Sequence, residues 1–326
     1  MHIASPASAP PRAAKKPLRQ RMWEARFCYL LMAPGLILIA MFSIYPLIAS
    51  WYYSFFDWSG ISKAKYFVGW QNFTELFHDS FFWHAFWRSA WFMLVATPVE
   101  LVLSLLVAIV LNERALKLAP IYRTLLFIPV VTTTAIVSIV MSFVFAAFNG
   151  PINQVLQGVG VVKNPIDFLG DHRTVMWTAI GIFVWKWFGQ PMIYWLAGLQ
   201  TIPQELYEAA RVDGAKWWRQ TISITAPLLK PFAVIITLIV AVGNLQVFAF
   251  MQALTNGGPF FSSEVMELYI YRMAFGATGS ASATRLGYAS AAGVLFGVAV
   301  MLLAGIQALA LRKMRTGASA AERTGL

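Results

Sequence analysis

The chain has 326 residues, of which 59% are hydrophobic and 12% charged, with a mean hydropathy of +0.63 and a formal net charge of +11. A soluble domain carries about a quarter charged residues, so this composition excludes an ordinary soluble enzyme and a disordered chain. Apolar stretches that run continuously, without alternation, exclude a membrane β-barrel.

In chain order, residues 1–26 are basic and rich in Ala, Pro and Ser, and read as a flexible cytoplasmic tail. The apolar run behind them is too long for a cleaved signal peptide. A spanning helix needs about 20 apolar residues, and six such segments follow: Phe27–Phe55 with Pro34 and Pro46, Ala85–Leu111 with Pro98, Ile121–Phe148 with Pro129, Thr174–Leu199 with Pro191, Pro231–Leu254, and Gly287–Leu311. Prolines inside spans imply a packed bundle in which neighbours satisfy the freed carbonyls. Gly293, Gly297 and Gly305 imply close helix contact in the sixth. Residues 27–312 thus form one six-span, all-α membrane domain, and 313–326 a cytoplasmic C-terminal tail.

Lys and Arg gather at span ends. Seventeen fall on the side of both termini and of the loops after spans two and four, against seven on the other. The richer side is cytoplasmic by the positive-inside rule, so both termini are expected inside, and the charge does not imply a nucleic-acid partner. Trp51, Tyr52, Tyr53, Trp58, Trp70 and Trp83 gather at the opposite end of the first two spans, as an interfacial belt or as ordinary packing. Cys28 cannot form an intrachain disulfide and reads as a small buried hydrophobe. His2, His78, His84 and His172 show no metal-ligand spacing, and no GxxxxGK[ST] is present. No metal, no catalytic residue and no cofactor on this chain are therefore expected.

The 201–230 segment is too polar to span and too patterned to be a linker. Pro203 suits a first turn, Glu205 to Arg211 are mostly good helix formers, and Gly214 allows a tight stop. A short helix-turn-helix is expected. Ala209 and Ala210 make one narrow face, and Glu208 and Asp213 offer anionic anchors. It either docks into a partner or lies on the membrane surface.

Glu100 and Lys186 lie midway along the second and fourth spans, both about 20 Å along their helices at about 1.5 Å per residue. An unpaired charge at that depth is costly, so the two are expected to pair, with a path-lining role for Lys186 as the alternative. Sugar sites combine aromatic faces with amides and hydroxyls. Trp185, Gln190, Tyr194, Asn244, Gln246 and Phe248 are the path candidates, each also explicable by packing.

The stretch EAARVDGA, followed by Ala226-Pro227, resembles the EAA loop of bacterial ABC importer permeases. Leu196 to Pro203, Thr255-Asn256-Gly257-Gly258-Pro259 and Gly287 to Ala291 resemble the carbohydrate branch, the maltose and glycerol-phosphate permeases. So do Ala33-Pro34-Gly35, Tyr45-Pro46 and Gly69 to Phe73. The likeness runs from Ala33 to Lys313. One departure is Ala226, where the family often has Leu.

The resemblance implies a type I ABC importer permease fold in the bacterial cytoplasmic (inner) membrane. It implies Glu208, Ala209, Ala210, Asp213 and Gly214 as ATPase-coupling residues. The implied partners are a second permease chain, two ATPase subunits that carry the ATP and Mg²⁺, a periplasmic or lipid-anchored sugar-binding protein, and membrane lipid. The implied cargo is an oligosaccharide or related carbohydrate, with an anionic sugar (a uronate oligosaccharide, a sugar phosphate or glycerol phosphate) as the alternative if Lys186 is unpaired. Competing classes fit less well. A secondary transporter would usually show inverted repeats, and a membrane enzyme would need a His, Asp or Cys cluster.

Overall fold

The computed structural model describes residues 23, 26–113, 116–276 and 284–324, with side chains as far as 309. The basic N-terminal tail apart from Trp23 and Arg26 lies outside the described residues, as do Arg114 and the side chains of Arg312, Lys313, Arg315 and Arg323.

The chain divides into two units, 1–52 and 53–326. The first carries helix α1 (Arg26–Tyr53), apolar and long enough to cross a membrane. It contains a π turn at Ala40–Ile44, closed by the Tyr45 N–H donating to the Ala40 carbonyl. Pro46 follows and brings no N–H, and the wider turn absorbs the missing donor. Cys28 is exposed on this helix rather than buried. A helix apolar around its whole circumference has no polar side to turn to water, so exposure and apolarity do not conflict there.

The second unit opens with a two-stranded antiparallel ribbon, β1 (Phe56–Asp57) and β2 (Tyr66–Phe67), pairing Phe56 with Phe67 and Asp57 with Tyr66. A short helix α2 (Gln71–His78) leads into α3 (Ser80–Leu111), capped by Asp79, whose side chain accepts the Phe81 N–H at 2.8 Å. The cap starts the second span five residues before the apolar pattern does. Then come α4 (Ala119–Val131), α5 (Thr134–Val144), α6 (Pro151–Gly158), α7 (Val175–Trp187), α8 (Gly189–Leu199), α9 (Gln204–Val212), α10 (Trp217–Gly243), α11 (Phe248–Leu254), α12 (Met266–Phe275) and α13 (Leu286–Thr324). A second π turn, Thr221–Thr225, precedes Pro227 inside α10 as the first precedes Pro46.

By length and composition α1, α3, α10 and the Leu286–Leu309 part of α13 can each cross a membrane. The third predicted span is broken: α4 and α5 pass together but meet at 94°. Pro129 removes one amide donor, and the β-branched run Val130 to Thr134 is a weak helix former, so the break falls at Thr132–Thr133. The predicted fourth span falls on two helices, α7 of 13 residues and α8 of 11, each too short to cross alone, with Phe188 between them. Gly189 opens α8, where an added Cβ would stand 2.6 Å from the Leu126 carbonyl oxygen, so α4 and α8 touch through backbone. The fifth span breaks after Gly243 and resumes as α11.

Three apolar clusters run along the unit. Phe92 on α3, Phe183 on α7 and Phe250 on α11 pack edge to face, with centroids 5.1 and 5.3 Å apart. Met192, Trp195 and Leu199 of α8 pack with Leu229 and Ile236 of α10. Phe73, Phe82, Tyr269 and Tyr288 gather around the start of α3. Thirty-two residues long, α3 extends about 48 Å at about 1.5 Å per residue, and its two ends carry two different polar regions.

Candidate functional site

At the C-terminal end of α3 stands the loop that carries α9. Its stop is a Schellman motif: the Ala215 N–H donates to Ala210 O at 2.8 Å and the Gly214 N–H to Arg211 O at 3.0 Å. Gly214 has φ +73°, and an added Cβ there would meet no atom within 4 Å. Glycine is therefore required by backbone conformation and not by space. Glu208, Ala209, Asp213 and Gly214 are exposed and Ala210 half-buried. Glu208 Oε1 accepts from Gln204 Nε2 at 2.9 Å, within the same helix. One side-chain bond ties α9 to α10, between the Tyr207 hydroxyl and Thr225 Oγ1 at 2.9 Å. Val212 is 89% exposed, and Trp217 and Trp218 are also exposed. A groove of about 960 Å³ runs beneath α9, lined by Asn112, Glu113, Gln200, Tyr207, Arg211 and Trp217 among others.

A second cavity, about 370 Å³, lies within the bundle where α10 breaks. Gln190, Asn244 and Gln246 line it with Glu100, Thr134, Trp187, Phe183 and Phe250. Asn244 Nδ2 donates to Glu100 Oε2 at 3.1 Å and to Thr97 Oγ1 at 3.0 Å, joining α3 to the end of α10. The remaining path candidates stand outside the lining. Tyr194 takes a hydrogen bond from Gln190 Nε2 at 2.9 Å, Trp185 is 44% exposed, and Phe248 packs on Tyr271 with centroids 5.0 Å apart. Thr97 and Trp187 were not among the sequence candidates. Thr97 was readable, because it lies three residues before Glu100 and so shares its helix face.

The expected Glu100–Lys186 pair does not form. Lys186 is fully buried, and its Nζ donates to the carbonyls of Pro129, Val130 and Thr132 at 3.1, 3.4 and 3.1 Å. Pro129 and Val130 lie in the last turn of α4 and Thr132 is its C-cap, so the break leaves these carbonyls without helical donors. An ammonium at a helix C-terminus also meets the negative end of its dipole. The broken span thus supplies, as neutral carbonyl acceptors, the partner that Glu100 was expected to be. The Lys186 Nζ also lies 4.2 Å from the centroid of the Trp187 ring.

At the other end of α3, Asp79 Oδ2 accepts from the Tyr269 and Tyr288 hydroxyls at 2.5 and 2.7 Å. Burial works to raise the Asp79 pKa, but these hydroxyls and the backbone N–H groups of Phe81 and Phe82 outweigh it, holding the carboxyl below its usual range. Arg285 forms a bidentate pair with Glu75 at 2.6 and 2.7 Å, which lowers the Glu75 pKa. Arg272 likewise grips Glu264 at 2.6 and 3.0 Å. Among the described residues no group of three or more His, Cys, Asp or Glu could hold a metal ion.

Residues 73–316 match the family described as "Binding-protein-dependent transport system inner membrane component". The chain is 32% identical to a probable ABC transporter permease protein, YurN, of Bacillus subtilis, over 88% of this chain and 94% of that one. It is also 32% identical to the lactose transport system permease protein LacF of Rhizobium radiobacter, over 76% and 83%. Among solved structures, a chain of a bacterial ABC transporter involved in the import of the acidic polysaccharide alginate superposes with a TM-score of 0.77, at 22% identity, over 91% of this chain and 98% of that one. That likeness concerns the fold.

Proposed function

The chain belongs to the family of binding-protein-dependent transport system inner membrane components, and from that premise we propose that it carries an oligosaccharide or related carbohydrate into the bacterial cytoplasm, driven by ATPase subunits docked on its 201–230 loop. It is a non-catalytic, multi-pass permease subunit of the inner membrane. ATP and Mg²⁺ belong to the partner ATPases, and a sugar-binding protein delivers the cargo from outside. A second, different permease chain completes the pore. Both termini, residues 1–26 and 313–326, lie on the cytoplasmic side.

The observation that carries this reading is α9. Nine residues of helix, marginal alone, are held by a complete C-terminal cap and one side-chain bond to α10, with Glu208 and Ala209 turned outward. Such a helix is built for a partner's cleft, and Glu208, Ala209, Ala210, Asp213 and Gly214 are its contact residues. It joins directly to α8, so a push on α9 reaches the fourth span.

The named cargoes of similar proteins run from lactose to acidic alginate. The anionic alternative depended on a Lys186 free to meet it, and the three carbonyls around its Nζ remove that support. Gln190, Asn244 and Gln246 are proposed to meet the sugar.

Purification of the tagged chain from its native membrane in mild detergent tests the reading. A co-purifying ATPase with a Walker A motif, a second six-span permease and sugar-stimulated ATP hydrolysis are expected. A chain that purifies alone as a stable oligomer, and transports unimpaired with Glu208→Lys, would overturn the reading in favour of a secondary transporter.

A further inference from the structure

The cavity at the α10 break holds one carboxyl group and no cation beside it among the described residues. Glu100 is its one charged lining residue among the described residues, and it is 2% exposed. One carboxylate oxygen, Oε2, accepts from Asn244, while Oε1 takes no hydrogen bond from any described residue. The Thr97 hydroxyl is occupied by the same amide. The nearby cation, Lys186, does not line the cavity. Its Nζ is held by three carbonyls, and the ring of Trp187, which does line the cavity, lies against it. The Trp187 Nε1 is buried and has no hydrogen-bond partner. The lining therefore offers a carboxyl acceptor, amides and aromatic faces, and among the described residues no cation.

We propose that Glu100 makes this cavity a charge filter, which admits uncharged or amine-bearing sugars and turns away uronates and sugar phosphates. The proposal rests on the carbohydrate reading above and adds the substrate class. A carboxylate in a site of low effective dielectric interacts strongly with any charge brought near it. An anionic sugar entering beside Glu100 finds repulsion and no compensating cation. A neutral sugar finds an acceptor for its hydroxyls and a ring to stack on, the combination that polyols require. The competing view is that Glu100 only staples α3 to α10 through Asn244. Glutamine at this position keeps the shape and the oxygen that accepts from Asn244, so Glu100→Gln separates charge from stapling.

The test reads the sign of the field without needing to know the sugar. In the purified complex with Cys28→Ser, a single cysteine is placed at Gln246→Cys, a cavity-lining and exposed position. It is labelled with two methanethiosulfonates of similar size, one bearing a trimethylammonium and the other a sulfonate. Each rate is divided by that of the same reagent with 2-mercaptoethanol. The normalised cation-to-anion ratio is expected to be about tenfold above unity with Glu100, and near unity with Glu100→Gln. Ala249→Cys, also exposed and cavity-lining, repeats the measurement should Gln246→Cys fail to assemble. A ratio unmoved by Glu100→Gln would overturn the filter, as would a ratio near unity with Glu100 in place, which would mean that the carboxyl is protonated or that a partner residue neutralises it. So would failure of both cysteines to label, since a filter must be reachable from water. Labelling needs no turnover, so these failures leave the importer reading standing, whereas absence of a co-purifying ATPase removes that reading first.

Discussion

The two ends of α3 solve opposite problems. At its N-terminal end, polar side chains far apart in sequence find one another, Asp79 with Tyr269 and Tyr288 and Glu75 with Arg285, and Glu264 pairs with Arg272 eight residues on. At its C-terminal end, the polar groups of α9 mostly find near neighbours, Gln204 with Glu208 and Arg211 with the Tyr207 carbonyl. Bonds within one helix give it shape but do not fasten it to the bundle. The first end is complete in itself, and the second is the end proposed above to take a partner. Substitutions at the first end should therefore cost stability, and substitutions at the second should cost coupling.

The largest effect is expected at the incomplete end. Glu208→Lys reverses a charge on the outward face of α9, and like charges brought together in an interface cost several kcal/mol. Sugar-stimulated ATP hydrolysis by the reconstituted complex should fall about a hundredfold. The thermal midpoint of the permease alone should not move, because exposed substitutions usually stay within about 0.5 kcal/mol. A melting shift comparable with the activity loss would break the comparison.

Between the ends, Lys186→Met tests how the broken span is held. It strands three carbonyls at the end of α4 and its cap in a buried site, where an unsatisfied group costs about 1–3 kcal/mol. A loss of about 3 kcal/mol in detergent unfolding is expected. Glu100→Gln should leave the Lys186→Met loss unchanged, because the two side chains have separate partners. Coupling between the two substitutions in a double-mutant cycle would restore the ion pair.

The complete end should show its bonds through pH. Asp79→Asn replaces an anion that accepts two hydroxyls and should cost about 1–2 kcal/mol near neutrality. The folded-state pKa of Asp79 is lowered, so its contribution is fully present above the unfolded value of about 3.9 and is lost as pH falls through that range toward the folded value. Acid titration of thermal stability should therefore be shallower in Asp79→Asn than in the wild type. Equal slopes would show that the tyrosine hydroxyls do not favour the charged form.

The same contrast explains what the amino-acid sequence could reveal. The α9 loop was legible because everything that makes it is contiguous: helix formers, then Gly214 at the stop. The contacts of Asp79 and Glu75 were not, because they join residues some two hundred positions apart and no local pattern encodes them. Lys186 was an intermediate case. Its depth was readable and its need for a partner followed, but the partners are backbone carbonyls, which side-chain chemistry does not reveal. Pro129 and the β-branched run behind it were the overlooked signal, since a broken helix presents carbonyls as real as any carboxylate. The cavity was half legible: Gln190, Asn244, Gln246 and Glu100 were nominated by depth and chemistry, while Trp187 needed the packing.

The smallest prediction concerns the glycine that ends α9, and it separates conformation from contact. At φ +73° an L-residue pays about 1–2 kcal/mol for the left-handed backbone, and a Cβ at Gly214 touches nothing within 4 Å. Any effect of Gly214→Ala must therefore come from the backbone. The Schellman bonds of Ala215 and Gly214 would open more often, and their amides should exchange about fivefold faster. ATPase binding to the permease should weaken by a similar factor, since the docking-competent helix would be present for less of the time. Gly214→Asn should sit between the two, because asparagine enters the left-handed region more readily than alanine. The complete end provides the control: amides at the start of α3 should exchange at their wild-type rate in both variants. If Gly214→Ala slowed coupling without speeding local exchange, the glycine would be acting as a contact, and the partner's surface would have to approach the backbone there.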